Sequence, residues 1–324
     1  MGKKVLYIQP IHPSGMEWLK EQGYDVVVAN TEDTATLKEM VKDASAIVSR
    51  LTYVGKDIID AGEKLECVAK HGVGVDNFDV PYCNEKKMPI LTTGTANSAS
   101  VAEHAFFALG ALAKRIVYLD GAMRQKPCHW KSRDEEGTVD LLGMKVGIVG
   151  IGRIGKHFAQ LATGAGMSVM VYDPFATKEQ VEAMGFEFFD DLDAMLKECD
   201  ALTLHVPLSD ATRDLINAKN LKLMKPTAYL INFARGGVVN EADLYEALKN
   251  KTIKAAAIDA WAAEPPEGNP LLTLDNALLS PHNGTFSAGS KIRMSMAVAQ
   301  GIDEVLTGKV PTNCFNKKEL YPGK

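Results

Sequence analysis

Short apolar runs alternate with amphipathic stretches along the first ninety residues. The runs at 4–9 (KVLYIQ), 25–29 (DVVVA), 46–48, 66–69 and 90–92 carry the Val, Ile and Ala of buried strands, and the stretches between them have helical spacing. That alternation predicts a parallel α/β sheet, because each parallel crossover needs a helix. A long helical pattern follows Thr95, starting at Ser98 or Ser100. Glu103 lies three residues beyond Ser100, as in a capping box, and the helix carries the chain out of the first domain. A loop rich in charge and turn formers, 124–137, precedes a second series of apolar runs at 145–149, 168–172, 201–206, 228–232, 255–259 and 278–280. Six strands are the number expected of a complete dinucleotide-binding sheet. The segment 288–306 is again helical, and a short polar tail follows.

Composition narrows the class. Apolar residues at 46% and charged residues at 24% over 324 positions describe a globular chain with enough core for two domains, and exclude a fibre or a disordered tail. A net charge of −5 offers no basic stripe for a phosphate backbone, so no nucleic-acid partner is expected. The most apolar stretch, 101–113, contains Glu103 and His104 and is too short to span a bilayer, so no membrane segment is expected. The first ten residues, MGKKVLYIQP, run into a strand with no apolar signal core, which predicts a cytoplasmic protein. Five scattered cysteines with no Cys-x-x-Cys pair predict reduced thiols, with neither a disulfide framework nor a metal site.

The chemistry starts at VGIVGIGRIGK, where Gly150, Gly152 and Gly155 form G-x-G-x-x-G directly after a strand and at the opening of a helix. Gly150 permits the tight turn and Gly152 lets the backbone approach a pyrophosphate. Gly155 lets helix and strand pack closely, and the helix N-terminus offers free N–H groups to the phosphates. The helix is expected to end at Gly164 or Gly166. The next strand ends at Asp173, eighteen residues past Gly155, near the spacing at which an acid binds the adenosine ribose. An anion there repels a 2′-phosphate, and no Arg or Lys follows in Pro174 to Thr177, so the expected cofactor is NAD. A second glycine run, His71-Gly72-Val73-Gly74, also follows a strand but lacks the third glycine and the long helix, and reads as a substrate loop.

Three further residues stand just past successive strands of the second series. Arg235, in LINFARGGVV, offers a guanidinium able to hold a carboxylate with two hydrogen bonds. Glu264, in AIDAWAAEPP, sits in a proline-stiffened loop. His282, in LLSPHNGTF, supplies an imidazole, the group suited to proton exchange near neutrality. A carboxylate at 264 would orient that ring and favour its imidazolium. The carboxyl ends of such strands face the ligand crevice.

In these residues the chain resembles the D-isomer-specific 2-hydroxyacid dehydrogenase family. The matching segments are HGVGVDNFD (71–79), NSASVAEHAF (97–106), LLGMKVGIVGIGRIGK (141–156), HVPLSDATRDLIN (205–217), INFARGGVVNEADL (231–244), IDAWAAEPP (258–266) and SPHNGTF (280–286). The resemblance implies an α/β fold in which a Rossmann-type NAD-binding domain, 97–286, is inserted into a smaller flavodoxin-like substrate domain made of 1–96 and 287–324. It implies that Arg235 binds the substrate, that His282 is the acid/base and that Glu264 supports it. It also places Arg153, Ile154, Val206, Phe233, Ala234, Asp259 and Gly284 at cofactor contacts beside the glycines and Asp173. The backbone of Gly72, Val73 and Gly74 falls where the family holds the substrate carboxylate, and a homodimer through the NAD-binding domain is implied.

The segments GVGVDN and NSASVAEHAF look most like the phosphoglycerate dehydrogenase branch. That points to D-3-phosphoglycerate and 3-phosphohydroxypyruvate as substrate pair, with Arg50, Lys70 and His71 as the cations for the phosphate. The branch often has Arg-Ser before the threonine, whereas this chain has Ser49-Arg50-Leu51-Thr52, so hydroxypyruvate, glyoxylate and other short 2-hydroxy acids stay open. An NAD-sensing, corepressor-like binding protein is the alternative of another class. Retention of Arg235, Glu264 and His282 together favours the enzyme.

Overall fold

The computed structural model describes residues 2–135 and 137–323. The chain forms two compact units, one made of 1–97 with 286–324 and the other of 98–285.

The first unit is a five-stranded, all-parallel sheet of β1 (Lys4–Tyr7), β2 (Asp25–Val28), β3 (Ala44–Ser49), β4 (Cys67–Lys70) and β5 (Ile90–Leu91), in the order β2-β1-β3-β4-β5. This is the flavodoxin-like doubly wound order, in which the strand order reverses at β1 and β3. Alternate residues of each strand feed two separate cores. Leu6 and Ile8 pack with Leu37, Val41, Ile58 and Ile59 of helices Thr34–Val41 and Lys56–Ala61. Val5 and Tyr7 pack on the opposite face with Leu19, Val298, Ala299 and Ile302, contributed by helices Pro13–Glu21 and Ala288–Leu306. Gly15 lets those two helices touch, since a Cβ there would lie 2.2 Å from the Ser295 carbonyl oxygen. Both faces are therefore covered, which is why β3 is buried along its whole length and its sequence shows no polar alternation.

The second unit is a seven-stranded parallel sheet of β6 (Lys145–Val149), β7 (Ser168–Tyr172), β8 (Glu187–Phe189), β9 (Ala201–Leu204), β10 (Tyr229–Asn232), β11 (Ala255–Ile258) and β12 (Ala277–Leu279). The order is β12-β11-β10-β9-β6-β7-β8, the doubly wound dinucleotide-binding order extended by one strand. Six of these coincide with the apolar runs of the sequence; the seventh, β8, is a three-residue edge strand paired with β7 and too short to show a period. The helix after Thr95 runs Ser98–Ala113, so it opens at the earlier of the two serines. The expected strand 201–206 stops at Leu204, which leaves His205 and Val206 in the turn at its carboxyl end. Among the described residues no helix is long and apolar enough to cross a membrane.

Candidate active site

The strand order of the second unit reverses between β6 and β9, and the glycine loop lies there. Gly150 has φ of 90°, and a Cβ on it would come within 2.8 Å of the His205 carbonyl oxygen and 2.9 Å of Val206 Cγ1. A Cβ on Gly155 would lie 2.2 Å from the Gly150 carbonyl oxygen, so strand and helix touch backbone to backbone. Around Gly152, by contrast, there is open space, and it heads helix Arg153–Gly164 with no side chain capping the first N–H groups. A helix N-terminus with free donors and room in front of it fits a pyrophosphate. Arg153 is exposed and Ile154 half-buried on its first turn.

Asp173, one residue past β7, ties this loop down. Its Oδ2 accepts the Ile151 N–H at 2.9 Å and its Oδ1 accepts the Phe175 N–H at 2.9 Å. The acid expected at the adenosine ribose is thus held from both sides by backbone donors.

At the carboxyl end of β10, buried Phe233 and Ala234 lead to half-buried Arg235, whose Nη1 donates to the Ala234 carbonyl at 2.8 Å. Buried Asn232 shapes this turn: its Nδ2 donates to the Arg235 carbonyl at 3.0 Å and its Oδ1 accepts the Ala234 N–H at 3.2 Å. The ring of His104, on helix Ser98–Ala113, packs against Phe233 at 5.0 Å between centroids. At the end of β11, buried Asp259 accepts from Ser280 Oγ at 2.6 Å, from Asn283 N at 2.9 Å and from Gly284 N at 2.9 Å. The carboxylate therefore fixes the loop that carries His282.

His282 itself adopts a left-handed backbone, with φ of 49°, and its Nδ1 lies 2.7 Å from Glu264 Oε1. Burial alone would push the Glu264 carboxyl up. The hydrogen bond and charge of His282, the Trp261 N–H and the charge of Arg235 outweigh it and bring the carboxyl below its ordinary range. Glu264 is then ionised near neutrality and can only accept, so Nδ1 carries the proton and Nε2 is the atom left for chemistry. The structure thus brings Arg235, Glu264 and His282 to one edge of one sheet, together with the glycine loop.

Four residues hold this edge in a way that their sequence does not announce. Besides Asn232, Trp261 donates its backbone N–H to Glu264 Oε1 at 3.3 Å and its indole N–H to the Ser280 carbonyl at 2.9 Å, linking the Glu264 and His282 loops. Gly236 seats against that same tryptophan, for a Cβ on it would fall 1.9 Å from the Trp261 carbonyl oxygen. Glu241, at the start of helix Glu241–Lys249, accepts from Ala262 N at 2.6 Å and from Asn269 Nδ2 at 2.5 Å. The only signal in the sequence was the Gly-Gly pair after Arg235.

In the first unit, Arg50, Lys70 and the 71–74 run stand at the carboxyl ends of β3 and β4. Lys70 is committed: its Nζ donates to the Arg50 carbonyl at 2.5 Å and to Asn77 Oδ1 at 2.7 Å. Asn77 in turn donates to Ser49 Oγ at 3.1 Å and the Thr52 carbonyl at 2.9 Å, and Gln9 Oε1 accepts the Arg50 N–H at 3.0 Å. His71 is mostly buried with Nε2 unpartnered; burial first, then the charges of Arg50 and Lys70, pull it down to about 4, so it is neutral near pH 7. Arg50 stacks over the Phe286 ring at 4.8 Å. Gly72 and Gly74 are half-buried, Gly72 giving its carbonyl to the Thr93 N–H at 3.0 Å, and Val73 is exposed. Among the described residues no cluster of three or more His, Cys, Asp or Glu could hold a metal.

Residues 106–284 match the family model for the NAD-binding domain of D-isomer-specific 2-hydroxyacid dehydrogenases. A D-3-phosphoglycerate dehydrogenase of Methanocaldococcus jannaschii is 38% identical over 318 residues; the match takes in 98% of this chain but 60% of that protein, so the chain spans well under two thirds of its length. A glyoxylate reductase of Thermococcus onnurineus is 35% identical over 331 residues, covering 99% of this chain and 98% of that one. Among solved structures, the NADPH-dependent glyoxylate/hydroxypyruvate reductase of Sinorhizobium meliloti superposes with a TM-score of 0.85 at 26% identity, over 98% of both chains.

Proposed function

The chain belongs to the D-isomer-specific 2-hydroxyacid dehydrogenase family, and from that premise we propose that it transfers a hydride between NAD and a small anionic D-2-hydroxy acid, its 2-oxo acid being the other member of the pair. The observation that carries this is the 2.7 Å contact between His282 Nδ1 and Glu264 Oε1, on the same sheet edge as the glycine loop and Arg235. The uncapped helix N-terminus at Gly152 would hold the pyrophosphate of the dinucleotide, whose nicotinamide would supply or accept the hydride when bound. Arg235 holds the substrate carboxylate and polarises the 2-oxo group. His282 Nε2 gives its proton to the carbonyl oxygen in reduction and takes the hydroxyl proton in oxidation. Glu264 favours the imidazolium that the reduction needs. Asp173 would select NAD over NADP by repelling a 2′-phosphate, and Arg153, Ile154, Val206, Phe233, Ala234, Asp259 and Gly284 would make the remaining cofactor contacts, with Asp259 near the nicotinamide amide.

For the substrate we propose D-3-phosphoglycerate and 3-phosphohydroxypyruvate, with Arg50 binding the phosphate and the backbone of Gly72 to Gly74 the carboxylate. The likeness to the archaeal D-3-phosphoglycerate dehydrogenase supports it. A second reading, a hydroxypyruvate or glyoxylate reductase, is favoured by the commitment of Lys70 to Arg50 and Asn77 and by the neutrality of His71, which leave one cation where the sequence offered three. Steady-state rates with NADH and a panel of 2-oxo acids decide between them. A clear preference for an unphosphorylated acid overturns the first reading. Arg235→Gln and His282→Asn are expected to lose turnover while NADH still binds; wild-type turnover in either refutes its role, and an inactive wild type that binds NADH speaks for a sensing protein.

The partner we propose is a second copy of the chain. In the NAD-binding unit Phe107, Ile116, Val117, Met123 and Trp130 are exposed by 67%, 55%, 62%, 45% and 59%, on helices Ser98–Ala113 and Ile116–Met123 and the turn that follows. Apolar side chains this exposed on consecutive elements fit a surface that a second copy would cover. Light scattering is expected to give a dimer, and Val117→Glu a monomer; a monomeric wild type removes the idea.

A further inference from the structure

The loop from Ala262 to Asn269 carries Glu264, and it is poor in internal support. Pro265 and Pro266 have no backbone donor, and within the loop the backbone forms one bond, from Asn269 N to the Pro266 carbonyl at 3.1 Å. Two side-chain bonds hold its ends, and both go to one carboxylate. Glu241 Oε1 takes the Ala262 N–H at 2.6 Å, and Oε2 takes Asn269 Nδ2 at 2.5 Å. Asn269 keeps its own Oδ1 for the Leu271 N–H at 3.0 Å, which caps the turn Pro270–Thr273. Glu241 is itself anchored in the first turn of a helix that Asn240 caps.

We propose that Glu241 is a positioning residue, whose carboxylate clamps both ends of the loop and thereby keeps Glu264 against His282. The inference rests on the proton role proposed for His282. Hydrogen bonds to an ionised acceptor are strong enough to order an exposed loop, and a carboxylate held against an imidazole favours the protonated ring, so slack in this loop acts through the proton balance of the pair. The charged groups on the elements that carry the pair and its clamp are Arg235 beyond β10, whose charge acts on Glu264, Asp259 beyond β11, Glu267 on the loop and Asp243 on the helix of Glu241. Asp259 is occupied by Ser280, Asn283 and Gly284, and Asp243 by the Ala218 N–H at 2.8 Å. None of them replaces the hold that Glu241 exerts.

The test is the pH profile of kcat/KM for 2-oxo acid reduction. Reduction needs the imidazolium, so the rate falls as pH rises. Glu241→Gln keeps an acceptor for Ala262 but turns an N–H toward the Asn269 amide, releasing that end. With Glu264 slack, the limb is expected to move to lower pH by about half a unit to one unit, so that rates above the midpoint drop by about three- to tenfold while those well below it and NADH affinity stay unchanged. The double variant Glu241→Gln, Asn269→Asp restores both bonds with donor and acceptor exchanged on the second, and its limb is expected to return toward wild type. Asn269→Ala, which leaves Glu241 intact, is expected to move it part of the way. A Glu241→Gln limb that coincides with wild type overturns the clamp, as does a uniform loss at every pH or a double variant that does not recover. A wild-type profile with no such limb overturns the proton role of His282 and this inference with it.

Discussion

His205 and His71 are both held neutral by the fold, and each reports on a different unit. His205 follows β9 with its Nδ1 buried and unpartnered, and burial pulls it down to about 3; His71 follows β4 and is pulled down to about 4 by burial and then by Arg50 and Lys70. In the unfolded chain a histidine titrates near 6.5. Each folded value is depressed, so unfolding takes up a proton between the two values, and stability present above pH ~6.5 is lost as pH falls toward the folded value. Between about pH 7.5 and about pH 5 the linkage amounts to about 2 kcal/mol for each histidine, before most carboxylates titrate. His205→Gln removes the proton uptake and can keep the bond to Thr203 Oγ1, now 3.1 Å from His205 Nε2. Urea unfolding of the NAD-binding unit, followed across that window, should show the variant losing about 2 kcal/mol less than wild type, a midpoint difference of about 1 M at an ordinary slope. His71→Gln should flatten the other unit's transition in the same way. Parallel pH dependence in wild type and variant would refute the reasoning, because a histidine free to protonate in the native state links nothing.

Gly236→Ala forces a Cβ within 1.9 Å of the Trp261 carbonyl oxygen, where backbone faces backbone; the Arg235 and Glu264 loops must part, and kcat should fall by about a hundredfold with NADH affinity kept. Loss of NADH binding in that variant would show the unit itself disrupted. Asp173→Asn replaces one acceptor facing Ile151 or Phe175 by a donor, so NADH binding should weaken by about tenfold and the discrimination against NADPH should narrow. An unchanged preference would remove Asp173 as the selector. Lys70→Met releases the Arg50 carbonyl and Asn77, and should raise the KM of the 2-oxo acid without altering NADH affinity, as read by steady-state kinetics and fluorescence titration.

The two sheets were legible in the sequence because every strand but β8 lies in a short, mainly apolar run set between helices, the pattern of a strand covered on both faces. The glycine loop and Asp173 were legible for a related reason. Their spacing is imposed by one continuous strand, helix and strand, so chain distance stands for spatial distance. Arg235, Glu264 and His282 could be read because each follows a strand of the same parallel sheet, and parallel strands deliver their carboxyl ends to one edge. The residues that hold these loops had no such signal. Glu241 looks like any acid in a first helical turn, and only the folded chain shows that its carboxylate reaches Ala262 and Asn269.

The first unit shows why residue type at a strand end is a weaker guide there. Arg50, Lys70 and His71 read as three cations gathered for one phosphate, but three charges left facing each other would repel. The fold resolves this differently for each residue. Lys70 turns its ammonium to a carbonyl and an amide oxygen, where the charge is solvated by protein and serves to set the Arg50 loop. His71 gives up its proton, since burial and its two neighbours make the neutral ring the stable one. Arg50 keeps its guanidinium over a π surface, the Phe286 ring, 4.8 Å from its centroid. If the substrate anion binds at this corner as proposed, it would meet one guanidinium, a group that pairs with a planar carboxylate as readily as with a phosphate. That equivalence is why the choice between the two substrate readings rests on rates and not on the charge count that the sequence displays.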